Sequence, residues 1–152
     1  MKNILFVCLG NICRSPAAEG IFKKQIKEAG LENKISCDSA GTSAYHAGQP
    51  SDSRMRESAF ARGYSLESLS RPFIKEDFER FDLVVVMDES NYRDVVAMAE
   101  TPEDIKKIQM MLGYCTIHEG VNEVPDPYYN DKFEYVMDLL EDSCNGLLKS
   151  LT

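Results

Sequence analysis

Short, continuously apolar runs alternate along this chain with longer stretches in which apolar residues recur every three or four positions. Asn3 to Val7 (Asn-Ile-Leu-Phe-Val) has no polar alternation, the pattern of a strand buried on both faces. From Ala17 to Ala29, residues Ala18, Ile21, Phe22, Ile26 and Ala29 form one apolar stripe and predict a helix. Ser15 is placed as its N-cap, Pro16 as its first residue and Gly30 as its stop. Glu19 falls near the helix start, where the dipole favours a carboxylate. Ile35 to Ser39 reads as a second strand and residues 40–50 as a loop. Ser51 or Asp52 caps a helix running to about Arg62, with Met55, Ala59 and Phe60 as inward positions. Ser70-Arg71-Pro72 is a turn and Lys75 to Phe81 a short helix. Asp82 to Asp88, β-branched and bounded by aspartates, is the strongest strand and is placed at the sheet centre. Glu89 to Ala99 reads as a helix. Ile108 to Leu112 fits a strand or a helix end equally, and residues 113–125 are mostly loop. Asp131 to Leu151 predicts a long amphipathic closing helix.

Strands alternating with helices over 152 residues predict one domain, 1–152, of α/β class: an open sheet with helices on both faces. Ligands of such sheets sit beyond the C-terminal ends of the strands, which is where the segment after Val7 lies.

Charge narrows the choice of ligand. With 17 Lys and Arg against 25 Asp and Glu the net charge is −8, so nucleic acid and anionic membranes are not expected partners. Any anion site must be local. No apolar run approaches the ~20 residues of a membrane span, and the start lacks the pattern of a signal peptide, so a cytoplasmic protein is expected. The five cysteines include no C-x-x-C pair, and His46 and His118 stand apart. Neither a disulfide framework nor a metal site is expected, and without a nucleotide-binding glycine motif no cofactor is.

The chemistry concentrates in Cys8-Leu9-Gly10-Asn11-Ile12-Cys13-Arg14-Ser15, between a strand and a helix. A loop wrapping an anion can aim successive N–H groups inward and run into a helix whose first turn adds to the field. Gly10 is expected to relieve strain at the tightest point. Arg14 can add a bidentate fork that lysine cannot reproduce. The same field favours the thiolate of Cys8, giving a nucleophile suited to phosphorus without a metal.

This segment resembles the signature loop of the low-molecular-weight protein tyrosine phosphatases, and Asp126-Pro127-Tyr128-Tyr129 resembles their general-acid motif. Asp38-Ser39-Ala40-Gly41, Lys75-Glu76-Asp77-Phe78 and Met87-Asp88-Glu89-Ser90-Asn91 also match stretches common in that family. The resemblance implies a four-stranded parallel sheet and hydrolysis of phosphotyrosine, in a protein or a small aryl phosphate, with phosphate and other oxyanions as inhibitors. Asp126, between two prolines, would protonate the leaving phenolate and later activate water, while Tyr128 and Tyr129 wall a slot for the ring. Further implied roles are Ser15 donating to the Cys8 sulfur, Asn11 bracing the loop with Ser39 as partner, and Leu9, Ile12 and Tyr45 lining the ring site. Cys13 is the implied partner of Cys8 in a reversible disulfide. The histidine that many relatives set behind Asn11 is replaced by Ser68.

Two other activities share the fold. Arsenate reduction needs a closely spaced resolving cysteine pair, which Cys115 lacks. Phosphoarginine hydrolysis tends to go with Thr at the position of Ile12 and without a tyrosine pair. A non-catalytic anion-binding scaffold has no support, because nucleophile, arginine and acid are all present.

Overall fold

The computed structural model describes all of residues 1–152. Its strands are β1 (Lys2–Cys8), β2 (Ile35–Gly41), β3 (Leu83–Val86) and β4 (Ile108–Met110). They form one parallel sheet in the order β2-β1-β3-β4. The helices are α1 (Arg14–Glu28), α2 (Ser53–Ala61), α3 (Asp77–Arg80), α4 (Glu89–Val96), α5 (Pro102–Lys106), α6 (Pro127–Asn130) and α7 (Phe133–Ser150), with a 3-10 turn at Met111–Tyr114.

The absence of alternation in β1 has a direct cause. Ile4, Phe6 and Cys8 face one core with Ile21 and Phe22 of α1 and Val136, Leu140 and Leu147 of α7. Leu5 and Val7 face a second core with Phe73, Phe78, Val84, Val86 and Val95. Both sides of the strand are dry from Ile4 to Cys8, so every position there is apolar. β3 lies inside the sheet, as its composition predicts. The register sets Cys8 beside Gly41 and Val7 beside Val86, so three strands end at one rim.

Several local expectations are corrected. The N-cap of α1 is Cys13, not Ser15, and Pro16 is the third helical residue; no side chain caps this end. Phe60 is exposed rather than inward, because only Met55 and Ala59 of α2 reach the core. Asp52, not Ser51, caps α2 through the Arg54 N–H. Ile108 to Met110 is the edge strand, held by pairing with β3 that periodicity does not reveal. The α5 helix was not foreseen; Thr101, Pro102 and Asp104 start it with a capping box.

One polar anchor fixes the chain that leads to Asp126. Asp142 of α7 accepts from the N–H groups of Thr116 (3.0 Å), Ile117 (3.0 Å) and His118 (2.8 Å), from Thr116 Oγ1 (3.2 Å) and from His118 Nδ1 (3.1 Å). Burial opposes ionisation of this carboxyl, but the three N–H groups and His118 outweigh it and hold it well below the usual carboxylate range. A depressed folded-state value means the contribution is complete above the unfolded value of about 4 and is lost as pH falls through the folded one. Asp142→Asn should therefore cost about 2 kcal/mol at pH 7, with the gap to the parent narrowing from about pH 5 toward pH 2. Urea unfolding across that range checks this; a gap independent of pH would show that the carboxylate is not the anchor.

Candidate active site

The loop after β1 is built inside out. Its carbonyls are taken by the surrounding framework: Thr42 N–H donates to Cys8 O (2.9 Å), Ser43 N–H to Leu9 O (2.9 Å), Ser70 Oγ to Gly10 O (2.9 Å) and Asp52 N–H to Ile12 O (2.8 Å). In a trans peptide the N–H points opposite the C=O. Each carbonyl held outward thus turns the next N–H the other way. The N–H groups of Leu9, Gly10, Asn11, Ile12 and Cys13 donate to no acceptor in the protein. Five unpaired donors, followed by the uncapped start of α1, make a receptacle for an anion.

Two residues make this path possible. Asn11, not Gly10, takes the left-handed conformation, with φ 56°; asparagine tolerates it because its short amide bonds locally. Gly41 lets β2 approach, since a Cβ there would stand 2.7 Å from Leu9 O and 3.1 Å from Asn11 N. The space above Gly10 is taken by His46, whose Cδ2 lies 3.0 Å from where a Cβ would be.

Behind the loop, Asn11 is the centre of a set of hydrogen bonds. Asn11 Nδ2 donates to Ser15 Oγ (2.7 Å) and Ser39 Oγ (3.0 Å), and its Oδ1 accepts from the Arg71 N–H (3.0 Å). Ser15 Oγ lies 3.1 Å from Cys8 Sγ. With serine at position 68, Asn11 is held instead by the Arg71 backbone N–H, and Ser70 pins the Gly10 carbonyl.

Arg14 is buried beneath the mouth. Nη1 donates to Asp88 Oδ2 (2.6 Å) and to Val124 O (2.9 Å), while Nη2 reaches Asp126 Oδ2 at 3.5 Å. Nε has no protein partner, so Nε and Nη2 remain as the fork for an anion. Burial opposes the guanidinium charge, but Cys8, Asp88 and Asp126 hold it firmly protonated. Asp126 caps α6 by accepting the Tyr128 N–H at Oδ1 (3.1 Å), which turns Oδ2 toward Arg14. Cys13 is buried; burial first, then Asp52, Cys8 and Asp126, push its thiol far up, so it stays protonated.

These groups surround a cleft of about 360 Å³. Leu9, Ile12, Tyr45, Tyr128 and Tyr129 line it, together with Cys8, Cys13, Arg14 and Asp126. Tyr128 and Tyr129 meet edge to face at 5.1 Å. Arg54 lies 5.5 Å from the Tyr128 ring and bonds to Asp52 and Asp131. Sequence reasoning missed His46 and Ser43 in the walls, Asp88 behind Arg14, and Arg71. Asp88 carried a usable signal: an acid at the C-terminal end of a central parallel strand lies where such sheets bind ligands.

Asn11→Ala removes both the brace and a residue that tolerates left-handed backbone. It should lower kcat about 10- to 100-fold and cost about 2 kcal/mol of stability. Asn11→Gly restores the backbone alone, so stability should recover in part while activity stays low. Full activity in the glycine variant would remove the side chain from the site's construction.

The comparisons agree with this geometry. The family model described as low molecular weight phosphotyrosine protein phosphatase matches residues 3–152. A Synechocystis sp. relative named as a low-molecular-weight protein-tyrosine-phosphatase is 53% identical over 150 residues, covering 97% of this chain and 95% of its own. The crystal structure of a protein tyrosine phosphatase from Entamoeba histolytica with Hepes in the active site superposes with a TM-score of 0.95 at 46% identity, covering 99% and 97% of the two chains. A Drosophila arginine phosphatase superposes at 0.89 with 32% identity, covering 99% and 97%. The chain belongs to the low-molecular-weight phosphotyrosine protein phosphatase family.

Proposed function

We propose that this enzyme hydrolyses phosphotyrosine monoesters by two displacements at phosphorus. The observation that carries this reading is the ring of five unpaired N–H groups around Cys8, with Arg14 below and Asp126 at the side. The phosphate dianion takes the N–H groups and the Arg14 fork. Cys8 Sγ attacks phosphorus, the bond to the aryl oxygen breaks, and Asp126 gives that oxygen its proton. Asp126, now a carboxylate, takes a proton from water as the water oxygen attacks the phosphocysteine. Cys8 leaves as a thiolate, with Ser15 Oγ placed to donate to it.

The cleft supports an aryl ester: Leu9, Ile12, Tyr45, Tyr128 and Tyr129 give a ring-shaped slot apolar contact. Phosphate and sulfonates should compete for the N–H ring. Five free thiols suit the reducing cytoplasm, and no helix is long and apolar enough to cross a membrane. The likeness to an arginine phosphatase keeps phosphoarginine as the comparison substrate.

Cys8→Ser should abolish turnover while retaining phosphate binding. Asp126→Ala should slow phosphotyrosine hydrolysis about 10²- to 10³-fold but slow aryl esters with strongly acidic leaving groups much less. Equal losses on both ester types would refute the acid role, and preferential turnover of phosphoarginine by the parent would refute the aryl assignment.

Cys13 shares the cleft floor with Cys8 and gives the site a redox brake. Peroxide converts the Cys8 thiolate to a sulfenic acid; the Cys13 thiol then displaces water to form a disulfide. Peroxide-treated parent should recover fully in dithiothreitol, whereas Cys13→Ser should recover little. Equal recovery would show that Cys13 does not protect Cys8.

A further inference from the structure

The two adjacent tyrosines of the cleft wall ride on α6, a single helical turn with few polar ties to the rest of the molecule. Its own bonds are internal. Tyr128 N–H donates to Asp126 Oδ1 (3.1 Å), Tyr129 N–H to Asp126 O (3.3 Å) and Asp131 N–H to Pro127 O (2.9 Å). One turn is too short to be stable by itself, so tertiary contacts decide where it sits. Two polar contacts lead from residues 126–131 to another segment. One is the long approach of Asp126 to Arg14 at 3.5 Å; the other is the bond from Arg54 Nη1 to Asp131 Oδ1 at 2.9 Å.

Arg54 is itself held from the opposite side. Nε and Nη2 donate to the two oxygens of Asp52 at 3.1 Å each, the forked geometry that fixes the plane of a guanidinium. Asp52 is fixed in turn: it caps α2 by accepting the Arg54 N–H (2.9 Å), and its own N–H donates to Ile12 O in the anion loop (2.8 Å). With that plane set, Nη1 is directed to Asp131, the left-handed residue that ends α6. The guanidinium carbon also stands over two rings, Phe133 at 4.9 Å and Tyr128 at 5.5 Å, within the range of cation–π attraction. Phe133 belongs to the main core and is a fixed reference; Tyr128 is partly exposed and needs one.

The ion pair alone would contribute little, because Asp131 is 79% exposed. The effect comes from geometry: one rigid plane has its edges bonded to α2 and to the end of α6, and its charge against the ring between them and the cleft. The other neighbours of Tyr128 do not replace it. Tyr129 meets the ring edge to face at 5.1 Å but rides on the same turn. His46 meets it at 6.2 Å with a tilt of 57°.

We propose that Arg54 is a positioning residue that sets specificity: it clasps α6 to α2 so that Tyr128 stands as a wall of the cleft, and this gives the site its preference for aryl phosphate esters over smaller anions. The consequence for turnover rests on the phosphotyrosine reading above. The clasp itself is read independently, by equilibrium binding of two anions that undergo no reaction.

Phenylphosphonate, which carries an aryl ring and is not hydrolysed, and inorganic phosphate are titrated by calorimetry against the parent, Arg54→Met, Arg54→Lys and Asp131→Gly. The parent should bind phenylphosphonate the more tightly. Arg54→Met should weaken phenylphosphonate about 3- to 10-fold, the range of one aromatic contact, and phosphate less than about twofold. Arg54→Lys keeps the charge without the fork and should lose most of the same preference. Asp131→Gly suits the left-handed backbone and should shift the ratio in the same direction, with little further loss on adding Arg54→Met. With p-nitrophenyl phosphate, Arg54→Met should raise KM about 3- to 10-fold and change kcat less than about twofold. An unchanged binding ratio in Arg54→Met would overturn the proposal. So would equal weakening of both anions, which is what general loss of structure or charge acting at a distance produces. If Arg54→Met does not fold, the exposed Asp131→Gly variant decides on the ratio alone. If the parent hydrolyses no phosphotyrosine but the ratio shifts, the functional reading fails and the clasp stands; a parent that binds neither anion overturns both.

Discussion

Chemistry at the rim of the sheet depends on which way a few peptide groups point. The carbonyls of Cys8, Leu9, Gly10 and Ile12 are bonded outward by Thr42, Ser43, Ser70 and Asp52, and the loop's N–H groups are left without partners. Unpaired donors at a buried rim are costly, roughly 1–3 kcal/mol each where water cannot reach them. The framework holds them because their carbonyls are satisfied on the far side and the residues with them are packed. The left-handed Asn11 and the missing side chain of Gly41 are the local conditions for this arrangement.

Arg14 ties that loop to the acid more than a hundred residues later. Its two carboxylate partners are unequal. Asp88 sits at 2.6 Å beside Val124 O and fixes the plane of the guanidinium. Asp126 stands at 3.5 Å and is oriented mainly by the Tyr128 N–H. The weaker contact is the one that an incoming anion can replace. Asp142, anchoring residues 116–118, steadies the chain that leads to that acid.

The net charge of −8 opposes an anionic substrate at long range. The groups placed to offset this are short-range: the unpaired N–H groups, one buried arginine and an aromatic wall. The wall is assembled from three separate segments, at Leu9 and Ile12, at Tyr45 and His46, and at Tyr128 and Tyr129.

The doubly buried apolar pattern of β1 and β3, the stripe of α7, and the C-x5-R-S segment followed by helix were readable in the chain, because each is local and periodic. So were Cys8, Arg14 and Asp126, whose residue types suit one reaction. Tertiary structure decided what pairing across the sequence decides. It made Ile108 to Met110 an edge strand, moved the strain from Gly10 to Asn11, and gave the α1 cap to Cys13 so that Ser15 could turn to the sulfur. It also brought Asp88, Arg71 and His46 to the site. A hydrogen bond's direction depends on every group around it, and those groups meet only when the strands stand side by side.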